Sequence, residues 1–131
     1  MERDRANVIK DELVEQDNHF LAVYVEAKNS VLVLLSERED KMGTMAVAVP
    51  RPGYLIGPIT SSLLLGDKFA VSARLFAEYV ASRKGKTAVV SVYLEKLTEL
   101  QAHAYFQKLL DRVLANELAA EAEKKREAEK I

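Results

Sequence analysis

The sequence contains no cysteine, and this absence excludes several kinds of site at once. Disulfide bonds, thiolate nucleophiles and cysteine-bound zinc all require that residue. Only two histidines are present, His19 and His103, so a histidine-rich metal site is excluded as well. His103 lies four residues after Glu99, and these two side chains together would supply only half of a metal site. We therefore expect a chain with no metal and no cofactor, in which His103 is a surface or boundary histidine.

Long apolar segments are also missing. The runs at residues 21–25 and 31–35 are far shorter than the roughly 20 residues of a membrane-spanning helix. The first residues are mostly charged and no apolar segment follows them, so we predict no secretory signal. These features predict a cytoplasmic protein that does not bind membranes. The scarcity of Asn and Gln, with abundant Glu, Lys and Arg, is typical of thermophilic proteins.

Neither sign of charge predominates, because 19 Lys and Arg residues stand against 20 Asp and Glu residues. Such a balance lacks the positive surface that drives binding to phosphate backbones, so we expect no nucleic-acid partner. The densest basic cluster, at residues 83–86, is explained better by a helix C-terminus and its turn than by an acidic partner. The glycines form no phosphate-binding pattern, and no serine lies in an activating motif. We therefore predict that the protein is not an enzyme.

Six short segments have the alternation and the β-branched residues typical of strands. These segments are residues 7–15, 19–26, 30–36, 45–49, 59–64 and 87–94. A hairpin is predicted between the second and third segments, with Asn29 in the left-handed turn position. Proline and glycine residues predict an irregular loop at residues 50–58.

Helical spacing begins after Gly66. We predict that Asp67 is the N-cap of the first helix and that Gly85 ends it, with basic residues in its last turn. Thr98 and Gln101 have the spacing of a capping box, which predicts the start of a second helix.

The apolar stripe of the second helix ends near Ala119, and only alanine and charged residues follow before the last residue. We therefore predict a single α+β domain at residues 1–120 and a charged helical extension, continuing into solvent, at residues 121–131.

Three predicted strands are apolar on both faces. In residues 21–25, 31–35 and 45–49 both alternating sets of side chains are apolar, whereas a strand with one solvated face alternates apolar with polar. Two helices can cover only one of these faces. The predicted fold is therefore α+β, with about six antiparallel strands and two main helices on one face. We expect the other face to pair with a second subunit, as a homodimer or a heterodimer.

Three segments resemble the proteasome assembly chaperone 4 family, and the resemblance is to a prokaryotic or archaeal-type homologue of chaperones 3 and 4. Residues 61–67, Ser-Ser-Leu-Leu-Leu-Gly-Asp, are similar to that family's Ser-Leu-Leu-Gly-Asp run before a helix. Residues 86–94 are similar to its Val-x-Val-Ser-Tyr-like strand, and residues 45–49 to its preceding apolar strand. The resemblance implies a six-stranded antiparallel sheet that pairs face to face with a similar subunit. It also implies binding to proteasome α subunits during core-particle assembly.

From the two-faced strands and this resemblance we predict a partner interface that includes Val89, Ser91, Tyr93, Gly66 and Asp67. The set Ala88, Val90, Val92 and Leu94 is predicted to face the helices. The chain ends in Glu-Lys-Ile and not in the hydrophobic-Tyr-X sequence by which other proteasome chaperones and activators dock, so the tail is not the expected docking device.

Two other functions stay open from the sequence. One is a dimeric regulatory or scaffold module unrelated to the proteasome, which would use its long charged helix as the contact. The other is an enzyme or small-ligand protein with a pocket at residues 50–58. The second is disfavoured because no convergent set of polar residues accompanies that loop.

Overall fold

The computed structural model describes residues 5–51 and 59–129. The strands are β1 Asn7–Glu15, β2 Asn18–Glu26, β3 Ser30–Glu37, β4 Thr44–Ala48, β5 Ser61–Leu65 and β6 Thr87–Tyr93, and the helices are α1 Ala70–Lys84 and α2 Glu99–Glu129. The six predicted strands are confirmed, with ends that differ by at most two residues. Most of the predicted loop at residues 50–58 lies outside the described residues.

The six strands form one sheet in the order β1-β2-β3-β6-β4-β5. Each neighbouring pair is antiparallel except β3 and β6, which run parallel. The prediction of an antiparallel sheet is therefore wrong for this pair, and the sheet is mixed. The reason is that α1 returns the chain along the sheet after β5, so β6 enters between β3 and β4 in the direction of β5.

Both helices pack on the same face of the sheet, as predicted. The ring of Phe20 on β2 lies 4.7 Å from that of Tyr105 and 5.5 Å from that of Phe106, both on α2. Phe76 of α1 meets Phe106 edge-on at 6.4 Å, which joins the two helices. The strands add a layer of fully buried inner-face residues, namely Ala22, Tyr24, Val31, Val33, Leu35, Ala46, Ala48, Ala88, Val90 and Val92. The predicted helix-facing set of β6 is therefore confirmed.

Helix α1 begins later than the sequence suggests, and Asp67 does not cap it. The N-cap position is Phe69, which has no capping bond from its side chain. Two side chains from distant elements bind the free amides instead. Thr44 Oγ1 accepts a hydrogen bond from the Phe69 amide at 3.1 Å, and Glu99 Oε1 accepts one from the Ser72 amide at 3.1 Å. The predicted cap is wrong because the N-cap position is Phe69, two residues after Asp67.

The other predicted helix ends are confirmed. Gly85 has φ 66°, and its amide donates to the carbonyl of Ala81 at 2.9 Å, as a left-handed C-terminal glycine does. At the start of α2 the capping box is reciprocal. The Thr98 amide donates to Gln101 Oε1 at 3.0 Å, and the Gln101 amide donates to Thr98 Oγ1 at 3.2 Å.

Helix α2 continues unbroken to Glu129 and stays in contact with the sheet beyond its apolar stripe. Glu117 is fully buried, and Lys124 Nζ donates a hydrogen bond to Asn7 Oδ1 on β1 at 2.7 Å. Residues 122–129 are exposed and helical, and the charged extension stays a prediction. The domain boundary at residue 120 stays a prediction.

Two short turns connect the first three strands. Gln16 and Asp17 both have positive φ, 51° and 65°, and form a two-residue connection between β1 and β2. This geometry matches the right-handed twist of the strands. The predicted hairpin between β2 and β3 is confirmed, with the Ala27 amide bonded to the carbonyl of Ser30 at 2.9 Å. Asn29 is not in the left-handed conformation, so that part of the prediction is wrong.

Candidate partner-binding surface

The face of the sheet opposite the helices, which we call the outer face, is apolar at its centre. Strand pairing places Val25 beside Leu32, Leu32 beside Val89, and Val89 beside Val47. The same face carries Leu21, Val23, Leu34 and Met45. These side chains are half-buried by one another, and Leu32 is 36% exposed. No helix or strand in the described parts of the chain covers them.

An apolar outer face is unusual for a sheet that is exposed to water. An antiparallel sheet with one solvated face normally carries polar residues there, and large contiguous apolar patches mark interaction sites. A second sheet could pack on this one at about 10 Å and bury about 800 Å² on each side, the size of a standard specific interface. The arrangement can therefore bind another protein face.

A charged border lies along one side of the apolar centre. On β1, Lys10 pairs with Val23 and Glu12 with Leu21, so both charged side chains lie on the outer face. Together with Asp40 these residues line a shallow groove. Apolar centre and polar border are the usual parts of a protein–protein interface.

A loop, residues 38–43, follows β3 and lies at the end of the outer face where β3 and β6 end. Ser36 Oγ bonds both the carbonyl and the amide of Lys41, at 3.0 and 3.2 Å, and Ser91 Oγ accepts from the Gly43 amide at 2.8 Å. A side chain at Gly43 would collide with the backbone of Val92, so the loop depends on this glycine. The two buried serines therefore hold the loop in place and leave no hydroxyl directed to solvent.

Tyr93 lies at the same end, within a charged cluster. Its hydroxyl donates to Glu95 at 3.3 Å, and Lys41 Nζ lies 3.5 Å from that hydroxyl and 5.1 Å from the ring centre. Arg38 and Lys41 form exposed ion pairs with Glu95, both at 3.6 Å. Exposed pairs of this kind add little stability, so the cluster is better suited to orienting a partner than to holding the fold.

The structure brings together three of the five predicted interface residues. Val89 and Tyr93 lie on the outer face, half-buried, and Ser91 lies between them beneath the loop. Gly66 and Asp67 are exposed at the end of β5. Gly66 has φ 78°, and a side chain there would approach Thr44 to 3.0 Å. These two residues therefore form a second location, separated from Val89 by β4.

Buried carboxylates on the helix side were not found from the sequence, although the strand alternation indicates two of them. Glu26 follows Phe20, Ala22 and Tyr24 at intervals of two, and Glu37 likewise follows Val31, Val33 and Leu35 on the inner face. Both sites are almost fully buried.

Glu37 holds the connection from β6 to α2. Its Oε1 accepts hydrogen bonds from the amides of Glu95, Lys96 and Leu97 at 2.9, 2.9 and 3.1 Å. Burial alone would raise the pKa of Glu37, but these three bonds outweigh it and hold the pKa below its usual range. The Glu37 carboxylate therefore has a structural role, because the three amides already use it as their acceptor.

Three carboxylates have the spacing of a metal site in the described residues. Oxygen atoms of Glu26, Glu117 and Glu121 lie within 4.8 Å of one another. The Glu26 carboxylate is already occupied by Lys84 at 3.0 Å, by Lys86 at 2.6 Å and by the Tyr24 hydroxyl at 2.6 Å. A metal would have to displace a lysine, so the donor set does not fit a cation site.

His103 takes no part in any such group. Its ring stacks on Phe76 at 5.1 Å between centres, which is the boundary position expected of it. Neither α1 nor α2, within the described residues, has a segment apolar enough to cross a membrane.

The chain is similar to known proteins in its fold and not in its sequence. No protein-family model matches the chain, and no curated protein matches it. A solved structure does match, described as the crystal structure of a novel chaperone complex for yeast 20S proteasome assembly. The alignment covers 86% of this chain and 98% of that one, with a TM-score of 0.68. The two chains share a fold. Their identity is 16%, so the likeness concerns the fold alone.

Proposed function

We propose that this chain is a non-catalytic, cytoplasmic assembly chaperone that pairs through its outer face with a second subunit of similar fold. The pair would bind proteasome α subunits during assembly of the core particle. The observation that carries the proposal is the apolar outer face, which no described element covers. The fold shared with a subunit of the yeast chaperone complex supports it.

The border of the face favours pairing with a second copy of the chain. Lys10 and Glu12 carry opposite charges on the same edge of the apolar centre. In a twofold dimer the same patch meets itself, and a border with both signs of charge can be complementary to its own copy. We therefore propose the homodimer as the first form to test, and a heterodimer with a similar subunit as the alternative.

The contact with an α subunit is proposed at the two remaining features. One is the charged cluster around Tyr93 with the loop at residues 38–43. The other is the exposed pair Gly66 and Asp67 at the end of β5. Ser91 has a positioning role in this proposal, because it holds Gly43 and so fixes the loop.

The test is to mix the chain with a recombinant proteasome α subunit and to measure the mass of the eluted species by light scattering. We expect a complex larger than either component alone. Leu100→Glu is a matched control, since Leu100 is 89% exposed at the start of α2, a helix on the opposite face of the sheet. This variant should bind as the wild type does.

A chain that forms a dimer but does not bind the α subunit would contradict the chaperone proposal. That result would favour the other class of function, a dimeric regulatory or scaffold module unrelated to the proteasome.

A further inference from the structure

Glu117 is the most unusual polar group in the described structure. Its side chain is fully buried on α2, and neither carboxylate oxygen has a hydrogen-bond partner among the described residues. A buried ionised carboxylate without partners is strongly unfavourable, and such a group is usually neutralised. The groups around Glu117 therefore decide whether its carboxyl group is protonated or ionised.

Charged and titratable groups surround Glu117 on β2, at the end of α1 and on α2 itself. Glu26 and Tyr24 lie on β2, Lys84 is the last residue of α1, and Lys86 follows in the turn before β6. Both lysines bind Glu26. Glu121 lies one turn further along α2, with an oxygen within 4.8 Å of those of Glu26 and Glu117.

The charges of this cluster do not balance. The three glutamates carry three negative charges and the two lysines carry two positive charges, so one negative charge is in excess. One proton makes the cluster neutral. A divalent cation would leave one positive charge in excess while both lysines stay on Glu26, and it would reach neutrality only by displacing one of them. A proton neutralises the cluster with both lysines in place.

The proton belongs on Glu117 and not on Glu26. Burial raises the pKa of Glu26, but hydrogen bonds from Lys86, Tyr24 and Lys84 outweigh it and keep the pKa below its usual range. Burial, together with the neighbouring Glu121 carboxylate and the charge of Glu26, raises the pKa of Glu117 to about 7. Once protonated, Glu117 can donate its proton in a hydrogen bond to Glu121.

The position of Glu117 gives its protonation a structural consequence. Towards the N-terminus, α2 is held by apolar residues such as Val113 and Leu114, and by Arg112 bound to Asp11 at 2.9 Å. Residues 117–129, which we call the terminal segment, have fewer attachments. Those described are the buried Glu117 and the bond from Lys124 to Asn7.

We propose that the terminal segment is a proton-controlled clasp, docked on β1 and β2 while Glu117 holds a proton and released from the sheet when Glu117 ionises. Release would uncover the inner face of β1 near Asn7 and Ile9. This inference goes beyond the proposed function and does not depend on it.

The test is amide hydrogen exchange on the full chain at about pH 6 and about pH 8, corrected for intrinsic exchange rates, with a carbon-13 titration of the Glu117 carboxyl. Protection of the terminal segment should fall about tenfold between the two pH values, as the protonated fraction falls. Protection at residues 102–114 should not change. The Glu117 carboxyl should titrate near neutral pH.

Two variants on the same segment sharpen the result. Glu117→Gln keeps the shape of a neutral carboxyl, so its protection should not depend on pH. Glu123→Gln changes an exposed residue of the segment and should behave as the wild type does.

Equal protection of the wild-type segment at both pH values would overturn the proposal. So would titration of Glu117 in the ordinary carboxyl range, a readout that needs no variant to fold. Recovery of protection at about pH 8 on adding Mg²⁺ or Ca²⁺ would also overturn it, since a cation and not a proton would then close the cluster.

Discussion

The two faces of the sheet are made by the same strands and differ in what covers them. On the inner face, the apolar residues of β2, β3, β4 and β6 pack under α1 and α2 and are fully buried. On the outer face, the alternating residues of those strands are nearly as apolar but stay half-exposed. The hydrophobic content of the chain therefore exceeds what one fold can bury. The excess is placed on one surface, where a partner can bury it.

The largest expected effect comes from the inner face. Phe106→Ala removes the ring that joins α2 to both Phe20 and Phe76. A truncation of this size in a core costs about 3–5 kcal/mol of unfolding free energy. Urea unfolding of the variant and the wild type measures the difference. A loss below about 1 kcal/mol would mean that the inner face is not the main source of stability.

The next effect should appear in association and not in folding. Val89→Glu places a charge at the centre of the outer face, where pairing would leave it buried and without a partner. We expect the dimer to weaken at least about 100-fold, because an unpaired buried charge costs several kcal/mol. Sedimentation velocity measures the association, and thermal unfolding measures the fold. Leu100→Glu is the control, and equal weakening by both variants would show that the outer face has no special role.

How far the sequence predicts the two faces depends on the range of the interactions involved. Alternation along each strand is local, so the strands, the helix-facing set of β6 and the capping box at Thr98 can be predicted. The parallel pairing of β3 with β6 is a tertiary contact between strands far apart in the chain, and no local pattern encodes it. The predicted start of α1 is wrong for the same reason, because Thr44 and Glu99 from distant elements cap its first amides.

The predicted interface residues also divide into those set by a local pattern and those set by a tertiary contact. Val89 and Tyr93 can be assigned to the outer face from alternation alone. The role of Ser91 depends on a loop that arrives from another part of the chain. Glu117 was missed although a signal exists, since it follows Phe106, Leu110 and Val113 at helical spacings of four, three and four. Its position predicts burial, whereas its residue type suggests a solvated tail.

The third effect is a dependence of the unfolding free energy on pH, which arises from the buried Glu117 on the inner side of the sheet. Since the pKa of Glu117 rises from an ordinary 4.5 to about 7 in the folded state, the folded protein binds the proton more tightly. Stability from this group is fully present below about pH 4.5 and is lost as pH rises towards 7, with little change above. The loss should be up to about 1.4 kcal/mol per pH unit. Urea unfolding between about pH 5 and pH 8 should show this slope in the wild type and not in Glu117→Gln.

The lowered pKa values of Glu26 and Glu37 act in the opposite direction. Their stabilisation is present at neutral pH and is lost as pH falls below the usual carboxyl range. A stability that rises steadily from pH 5 to pH 8 would contradict the assignment for Glu117.

The smallest effect lies at the start of α1, where the inner face meets β5. Thr44→Val removes the hydroxyl that accepts a hydrogen bond from the Phe69 amide. The variant should lose about 1 kcal/mol of unfolding free energy. Asp67→Ala should change stability by less than about 0.5 kcal/mol, because Asp67 does not cap the helix. Thermal unfolding of the two variants compares them directly. A larger loss from Asp67→Ala would show that this side chain does bind the helix start.

The mass of the wild-type chain in solution decides whether the outer face is a subunit interface. Light scattering on the size-exclusion peak at micromolar concentration should give twice the 14.7 kDa of one chain. Dilution should shift the mass towards one chain only at much lower concentration. A wild type that has the mass of one chain at micromolar concentration would contradict self-pairing through the outer face. If no mixture with a similar subunit restored the larger mass, the proposed interface would be wrong altogether.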